Sequence, residues 1–320
     1  MNQLPELPDR DLPPGRHRLL KEHLMTEIRQ EPSEAPVRRR FVRTALVVGA
    51  VAAVTAVAVT FTVPSGQAER AATPGKPAAT KGAVKPGAGN EAAQLLEGIA
   101  LAAEHAEVPA GIRDDQFVYI KSKVAWTTQT NDEPAKLQPI HEREVWKSVD
   151  GSRKGLLNEP YQGFDNEPLD AETPGIPSNT NYRHLQTLPT DPDKMYKWLN
   201  SVSEGSNSKD EANFVLVGDL ARESLMPPAQ AAALYRAAAR ISGVFVIDDT
   251  VDAAGRHGVA VARVDRGQRF ELIFDKETKE FLGERAVAIE DLPWGFKKGD
   301  VVARTAILDR TVVDKAGQRP

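Results

Sequence analysis

Residues 44–63, TALVVGAVAAVTAVAVTFTV, hold no charge, no side-chain amide and no proline over 20 positions. At ~1.5 Å rise per residue, a helix of that length reaches roughly 30 Å, the thickness of a bilayer's hydrocarbon core. In lipid the backbone must bond to itself, and a helix does so along the whole run. Ala and Val dominate, with Leu46 and Phe61 the only larger apolar side chains. The run is apolar all round rather than along one stripe, which sets it apart from a helix half-buried in a core. Arg38, Arg39, Arg40 and Arg43 stand directly before it, whereas the first basic residue after it is Arg70. That asymmetry predicts a cytoplasmic N-terminus and an extracytoplasmic C-terminal part. Gly66-Gln67-Ala68 has the small residues of a leader-cleavage site, but 43 residues, several of them acidic, precede the run, unlike a short basic leader. The expectation is a single-pass cell-membrane protein.

The span divides the 320 residues into four pieces: a tail (1–43), the span (44–63), a linker (64–90) and an extracytoplasmic domain (91–320). Their formal charges are +2, 0, +3 and −9, which together give the overall −4. No basic surplus of the kind that binds nucleic acid is present. Cysteine is absent, which excludes a disulfide framework, a thiolate zinc site, a cysteine nucleophile and lipidation through cysteine. The linker is Pro, Gly, Ala, Thr and Lys, too poor in bulky apolar side chains to offset the entropy of ordering. It reads either as a solvated spacer or as a basic tether lying on anionic lipid or wall polymer. In the tail, residues 16–30 have helical spacing, with Leu20, Leu24 and Ile28 on one face. A lone helix of about 15 residues is marginal in water, so it meets a cytoplasmic regulator, lies on the inner leaflet, or stays unfolded.

The domain predicts an α+β fold. A helix is expected over 91–107, burying Leu95, Leu96, Ile99 and Ala103, with strands over 116–128 and 141–149. Pro, Asn, Gly and Asp crowd 158–180, which reads as a long surface loop. Three helices follow. Thr190-Asp191-Pro192 starts one, Ser208 to Glu211 is a capping box for the second, and Pro227-Pro228 opens the third, which Gly243 ends. Strands over 244–247, 258–264, 269–275, 280–288 and 301–313 are joined by connections too short for parallel crossovers, so they form an antiparallel meander packed on the helices. Ile273 interrupts the alternation of its strand, as expected for a strand covered on both faces.

No catalytic constellation is recognisable. Of six histidines, His17 and His23 lie in the tail, and His105, His141, His184 and His257 are scattered, with no zinc-binding spacing. There is no nucleophile elbow, phosphate-binding loop, dinucleotide fingerprint or EF-hand. Asp114-Asp115 and Asp248-Asp249 fall where turns are expected and read as chain punctuation. His141-Glu142-Arg143-Glu144 alternates sides on an expected strand, which suits an exposed face. Trp126, Trp146, Trp198 and Phe214 are either the lining of an apolar interior or ordinary core. No catalytic, cofactor-binding or metal-ligating residue is assigned, and no cofactor is expected.

Five stretches carry a family resemblance: W-K-S-V-D-G-S-R (146–153), L-P-T-D-P (188–192), A-A-L-Y-R-A-A-A-R-I-S-G-V (232–244), G-R-H-G-V-A-V (255–261) and F-D-K-E-T-K-E-F-L-G-E (274–284). With the Arg-flanked span and the tether, they resemble a functionally uncharacterised family of actinobacterial single-pass membrane proteins. Genes of that family often lie beside those of extracytoplasmic-function sigma factors. The strand-and-meander pattern is also loosely similar to LolA-like domains, half-barrels over helices that bind lipids or lipoprotein signals. That likeness implies a half-barrel and a lipid or lipoprotein ligand. The cysteine-free tail departs from a zinc anti-sigma domain, so no functional residues transfer. The resulting expectation is a non-enzymatic envelope sensor or accessory protein, linked to sigma-factor regulation, whose outer domain binds an apolar ligand or a partner protein. The alternatives are a surface hydrolase built from distant carboxylates and a structural envelope tether. Alkaline phosphatase fused after residue 320 is expected to be active and a cytosol-only reporter at the same place silent; the reverse pattern removes the predicted topology.

Overall fold

The computed structural model describes residues 88–320 apart from 130–132, 173–174 and 205–207. The expected tail helix, the span and the linker up to residue 87 lie outside the described residues. Among those described, no helix is long and apolar enough to cross a membrane.

The chain forms a mixed α+β domain. Helix α1 (Ala88–Glu104) begins three residues inside the expected linker. It buries Ala92, Leu96, Ile99 and Ala100, with Leu95 and Ala103 at the margin. That i, i+4, i+7, i+8 spacing makes one helical stripe, and each fully buried Leu or Ile contributes about 1.5–3 kcal/mol. Strands β1 (Phe117–Ala125), β2 (Thr127–Thr128), β3 (Lys136–Leu137), β4 (His141–Ser148), β5 (Gly155–Glu159) and β6 (Phe164–Leu169) follow. The last two correct the surface loop expected over 158–180: a 3₁₀ turn at Pro160–Gln162 joins them into a hairpin. Strand β6 is an exposed sheet edge, so nothing selects apolar alternation in it, and an edge tolerates Pro168.

Short helix α2 (Tyr182–Gln186), which the sequence did not announce, is capped by Asn181. In α3 (Pro192–Val202), the Asp191 carboxylate accepts from the Lys194 amide as its capping signal required, and Met195 and Leu199 are buried. In α4 (Lys209–Arg222), Ser208 caps the Glu211 amide, but only half of the capping box forms. The Glu211 side chain turns instead to Arg263, at 2.6 Å. Helix α5 (Pro228–Ala238) ends before Gly243, which takes a left-handed φ of 81° in the turn beyond. Strands β7 (Phe245–Val251), β8 (His257–Asp265), β9 (Gln268–Phe274), β10 (Phe281–Ala288) and β11 (Val301–Val313) complete the chain. Arg266 and Gly267 both take positive φ between β8 and β9, as a two-residue hairpin turn requires.

Nine strands form one antiparallel sheet in the order β6-β5-β4-β1-β11-β10-β9-β8-β7, with β2 and β3 paired separately. The last strand made therefore lies inside the sheet, between β1 and β10. One face meets the helices: Val261, Leu272 and Phe274 join α1, α3, α4 and α5 in the main core, and Val118, Ile120 and Val145 pack against Tyr182 of α2. The outer face is covered twice. The segment after β11 crosses β4, where Trp146 Nε1 donates to the Gln318 carbonyl at 2.6 Å and the indole lies tilted against the Tyr119 ring, centroids 5.2 Å apart. Ala260, Ile273 and Leu282 form a smaller outer cluster, so Ile273 is enclosed as its broken alternation suggested.

The tip of the β7–β8 hairpin folds back over that outer face. Gly258 opposite Thr250 leaves room, since a Cβ there would stand 2.5 Å from the Phe274 carbonyl oxygen. Thr250 therefore reaches past β8 to bond Glu271 of β9 at 2.6 Å. Beyond it, the tip meets the seam between β10 and β11. Those two strands pair at only three positions, Arg285–Arg304, Ala286–Ala303 and Val287–Val301. Past the seam, the Thr305 carbonyl accepts from the Ala253 amide, and Arg256 Nη2 donates to the Leu282 and Ile307 carbonyls at 3.0 and 2.8 Å. The fully buried Asp252 carboxylate holds Arg256 Nε at 2.7 Å and caps two amides of the turn. Arg256→Ala strands that carboxylate and two carbonyls, and should cost about 3–5 kcal/mol in urea unfolding. Lys298→Ala, at an exposed loop position, should cost well under half of that.

Candidate functional site

Between α4 and the strands of the seam lies a cavity of about 70 Å³. Phe214 and Val215 of α4 form its roof, Phe270 and Leu272 of β9 its floor, and Trp126, just past β1, one wall. Trp126, Val215 and Phe270 keep part of their surface in solvent, while Phe214 is buried. The inner end is ionic. Arg222, the last residue of α4, stands 5.4 Å from the Trp126 ring centroid and pairs with Glu284 of β10, with Asp219 at 2.6 Å and with Glu223 at 3.3 Å. Burial opposes its charge, but the three carboxylates outweigh burial and hold the guanidinium pKa above its ordinary value.

This cluster is one end of a longer chain of charges between sheet and helix. Glu223 also meets Arg143 of β4 at 3.3 Å, and Arg143 meets Glu159 of β5 at 3.3 Å. Glu159 in turn accepts from His141 Nε2 at 2.7 Å, and the His141 ring stacks on Tyr161. Two guanidinium groups thus face four carboxyls. Burial, ahead of the opposing pull of Arg222, raises the Glu284 pKa, as expected where negative charge is in excess. Ionic groups out of water are costly unless paired, and removing one partner of such a set typically costs about 3–5 kcal/mol.

This arrangement corrects the reading of His141-Glu142-Arg143-Glu144 as an exposed strand face. Only Glu142 is exposed, beside Lys121 at 3.2 Å. His141 and Arg143 point into the charge chain. Glu144 is buried on the opposite face, accepting from Tyr119 at 2.7 Å and from Arg319 in a two-pronged pair at 2.7 and 2.6 Å. The strand is covered on both sides by residues distant in sequence, and so its polar alternation misleads. Of the four aromatics considered for an interior, Trp126 and Phe214 line the cavity, Trp146 is on the far face, and Trp198 packs at the edge of the helical core.

The aspartate pairs stay apart from this site. Asp114 pairs with Arg183 at 2.6 Å, Asp115 with Arg113 at 3.0 Å, and Asp249 with Lys276 and His257 at 2.8 and 3.1 Å, all at exposed positions. Among the described residues, no group of three or more His, Asp or Glu side chains is placed to hold a metal ion. A second, larger furrow of about 380 Å³ runs between α1 and the β7 edge, floored by Leu95, Val246 and Val259 and rimmed by Glu91, Asp248 and Lys279.

The site therefore defines a domain with a small, partly apolar socket and a buried charge chain in which carboxyls outnumber guanidinium groups, on an α+β frame. The sequence matches no protein-family profile and no curated protein. Among solved structures it is similar to MucB, described as a crystal structure, at 14% identity and a TM-score of 0.27, over 72% of this chain and 60% of that one. The match spans less than two thirds of MucB, and likeness at that level does not define a fold. The architecture described above rests on its own strand pairing.

Acid behaviour reports on the outer-face pair. The Arg319 hydrogen bond, with Tyr119 and Asn158 adding to it against burial, pulls the Glu144 pKa from the ordinary 4.5 down to about 2. A depressed carboxyl contributes stability that is complete above about pH 4.5 and is lost as pH falls through about 2. Arg319→Gln should lower stability at neutral pH and flatten its fall between pH 4.5 and 2, as read from urea midpoints across that range.

Proposed function

We propose that the chain is a membrane-anchored, non-enzymatic accessory or sensor protein of the cell envelope, and that its outer domain docks a partner protein at the Trp126 socket. The observation that carries the docking part is the size of that socket beside its chemistry. About 70 Å³ is room for a side chain of aliphatic size. Pockets that enclose whole small molecules run to roughly 300–1,000 Å³, and an acyl chain needs space of that order. Of the two occupants the sequence left open, an apolar ligand and a partner protein, the dimensions of this socket favour a protein inserting one apolar residue; the furrow between α1 and β7, at about 380 Å³, is of ligand size but rimmed by Glu91, Asp248 and Lys279. Half-buried Trp126 at the rim supplies the kind of anchor that dominates such contacts.

The anchoring part rests on residues 44–63 and their arginine flank, and the non-enzymatic part on the absence of a catalytic motif in the sequence. The family resemblance supports seeking the partner among envelope signalling proteins, including regulators of sigma factors, with the tail as a second contact for a cytoplasmic regulator. Filling the socket tests this reading. Ala286, at its buried wall, becomes Leu in a variant whose unfolding midpoint should stay within a few degrees of the parent. Crosslinking from a photoreactive group at position 215 in intact cells should trap one protein, and Ala286→Leu should reduce that product at least tenfold. An unchanged product, or capture of lipid alone, overturns the docking assignment.

A further inference from the structure

On the outer face of the seam the chain places like charges against each other. Arg285 of β10 and Arg304 of β11 are directly paired residues, and Arg304 is also the partner of Ala125 on β1. Opposed side chains on neighbouring strands start about 4.5–5.5 Å apart, and like charges in that position repel. Lys123 stands diagonally beside Arg304 on the same face, because its own β11 partner is Ala306. Among the described residues, Arg285, Arg304 and Lys123 have no ion pair; Arg285 has only a hydrogen bond to the Thr250 hydroxyl at 3.2 Å. Arg304 Nε is buried without any hydrogen-bond partner. Two carboxylates border the group: Glu271, the cross-strand partner of Arg285, is already bonded by Arg269 at 2.6 Å and by Thr250, and Glu142, the cross-strand partner of Lys123, pairs with Lys121 at 3.2 Å.

A solvated strand face would let two arginines fan apart with all donors in water. Here the hairpin tip folded over β9 and β10 holds Thr250 against Arg285, and one guanidinium nitrogen of Arg304 is withdrawn from water with nothing to accept from it. We infer that Arg285, Arg304 and Lys123 form a binding site for a phosphate group, free or esterified in a lipid headgroup. Two guanidinium forks match the several oxygens of a phosphate, and its charge removes the repulsion that the empty pair bears. Arg285 and Arg304 also border the Trp126 socket, but strand alternation turns their side chains to the other sheet face from Glu284 and Leu272, and the phosphate site makes no use of the docking proposed at the socket.

Thermal unfolding of the full 320-residue chain in a non-ionic detergent tests the assignment. Inorganic phosphate should raise the midpoint by several degrees more than chloride at equal ionic strength. Glycerophosphoglycerol, a phosphodiester headgroup without tails, separates the two sources: a rise with phosphate alone assigns free phosphate, and a rise with both assigns a site open to headgroups. Arg285→Gln and Arg304→Gln should each abolish the rise, while being at least as stable as the parent without phosphate. Arg304→Lys should fold and show a reduced rise, and Lys154→Gln, elsewhere on the surface, should keep it in full. No rise in the parent beyond that with chloride, or an equal rise in the two Gln variants, overturns the site.

Discussion

The pairing of β10 with β11 is the constraint on which the rest of the domain turns. Three residue pairs join the two parts of a nine-stranded sheet, and the ladder then stops. Backbone carbonyls left open inside a protein must find donors. Arg256 and the Ala253 amide supply them from the β7–β8 hairpin, on the far side of β9, which requires the sheet to curl and the hairpin tip to fold over it. The G-R-H-G stretch of the sequence is explained here: Gly255 takes a φ of 85° in the turn, Arg256 bonds the seam, and Gly258 permits the close approach. This is a structural role for residues that, as a motif, invited a functional one.

The same seam positions both sites. On its helix side, Glu284 turns inward to Arg222 and sets the ionic end of the socket. On its outer side, the next residue, Arg285, faces Arg304. Strand alternation thus sends neighbours to opposite faces with opposite electrostatic characters: a carboxylate in a negative surplus within, a guanidinium in a positive surplus without. Neither arrangement is the most stable way to fill a sheet, and both occur where the ladder is short.

Much of the frame was legible because the signals are local. Asp191, Ser208 and Pro228 start helices through chemistry confined to one turn, and the strands of the meander appear close to where β-branched runs and short connections put them. What escaped notice was set by distance along the chain. The β5–β6 hairpin was hidden because an edge strand in water is under no demand for apolar alternation. His141 and Arg143 looked exposed because their partners, Glu159 and Glu223, come from a later strand and from the end of a helix about 80 residues on. Glu144 was obscured in the same way by Arg319, 175 residues away. The socket itself gave one usable hint, a tryptophan just beyond a strand end; its opposing wall of Val215 and Phe270 follows only from the packing of α4 on β9.

Strand β11 has a consequence for how such a chain comes into being. It comes last of the described strands in chain order, yet its neighbours are β1 and β10, and Phe117, held by Ser148 on one side, meets Val313 on the other. Until β11 emerges, the growing polypeptide carries two incomplete sheets, each with a bare hydrogen-bonding margin of the kind that invites misassembly. Assembly of the sheet is therefore obliged to wait for β11, and a copy terminated before it would lack not an appendage but the piece that unites its two halves.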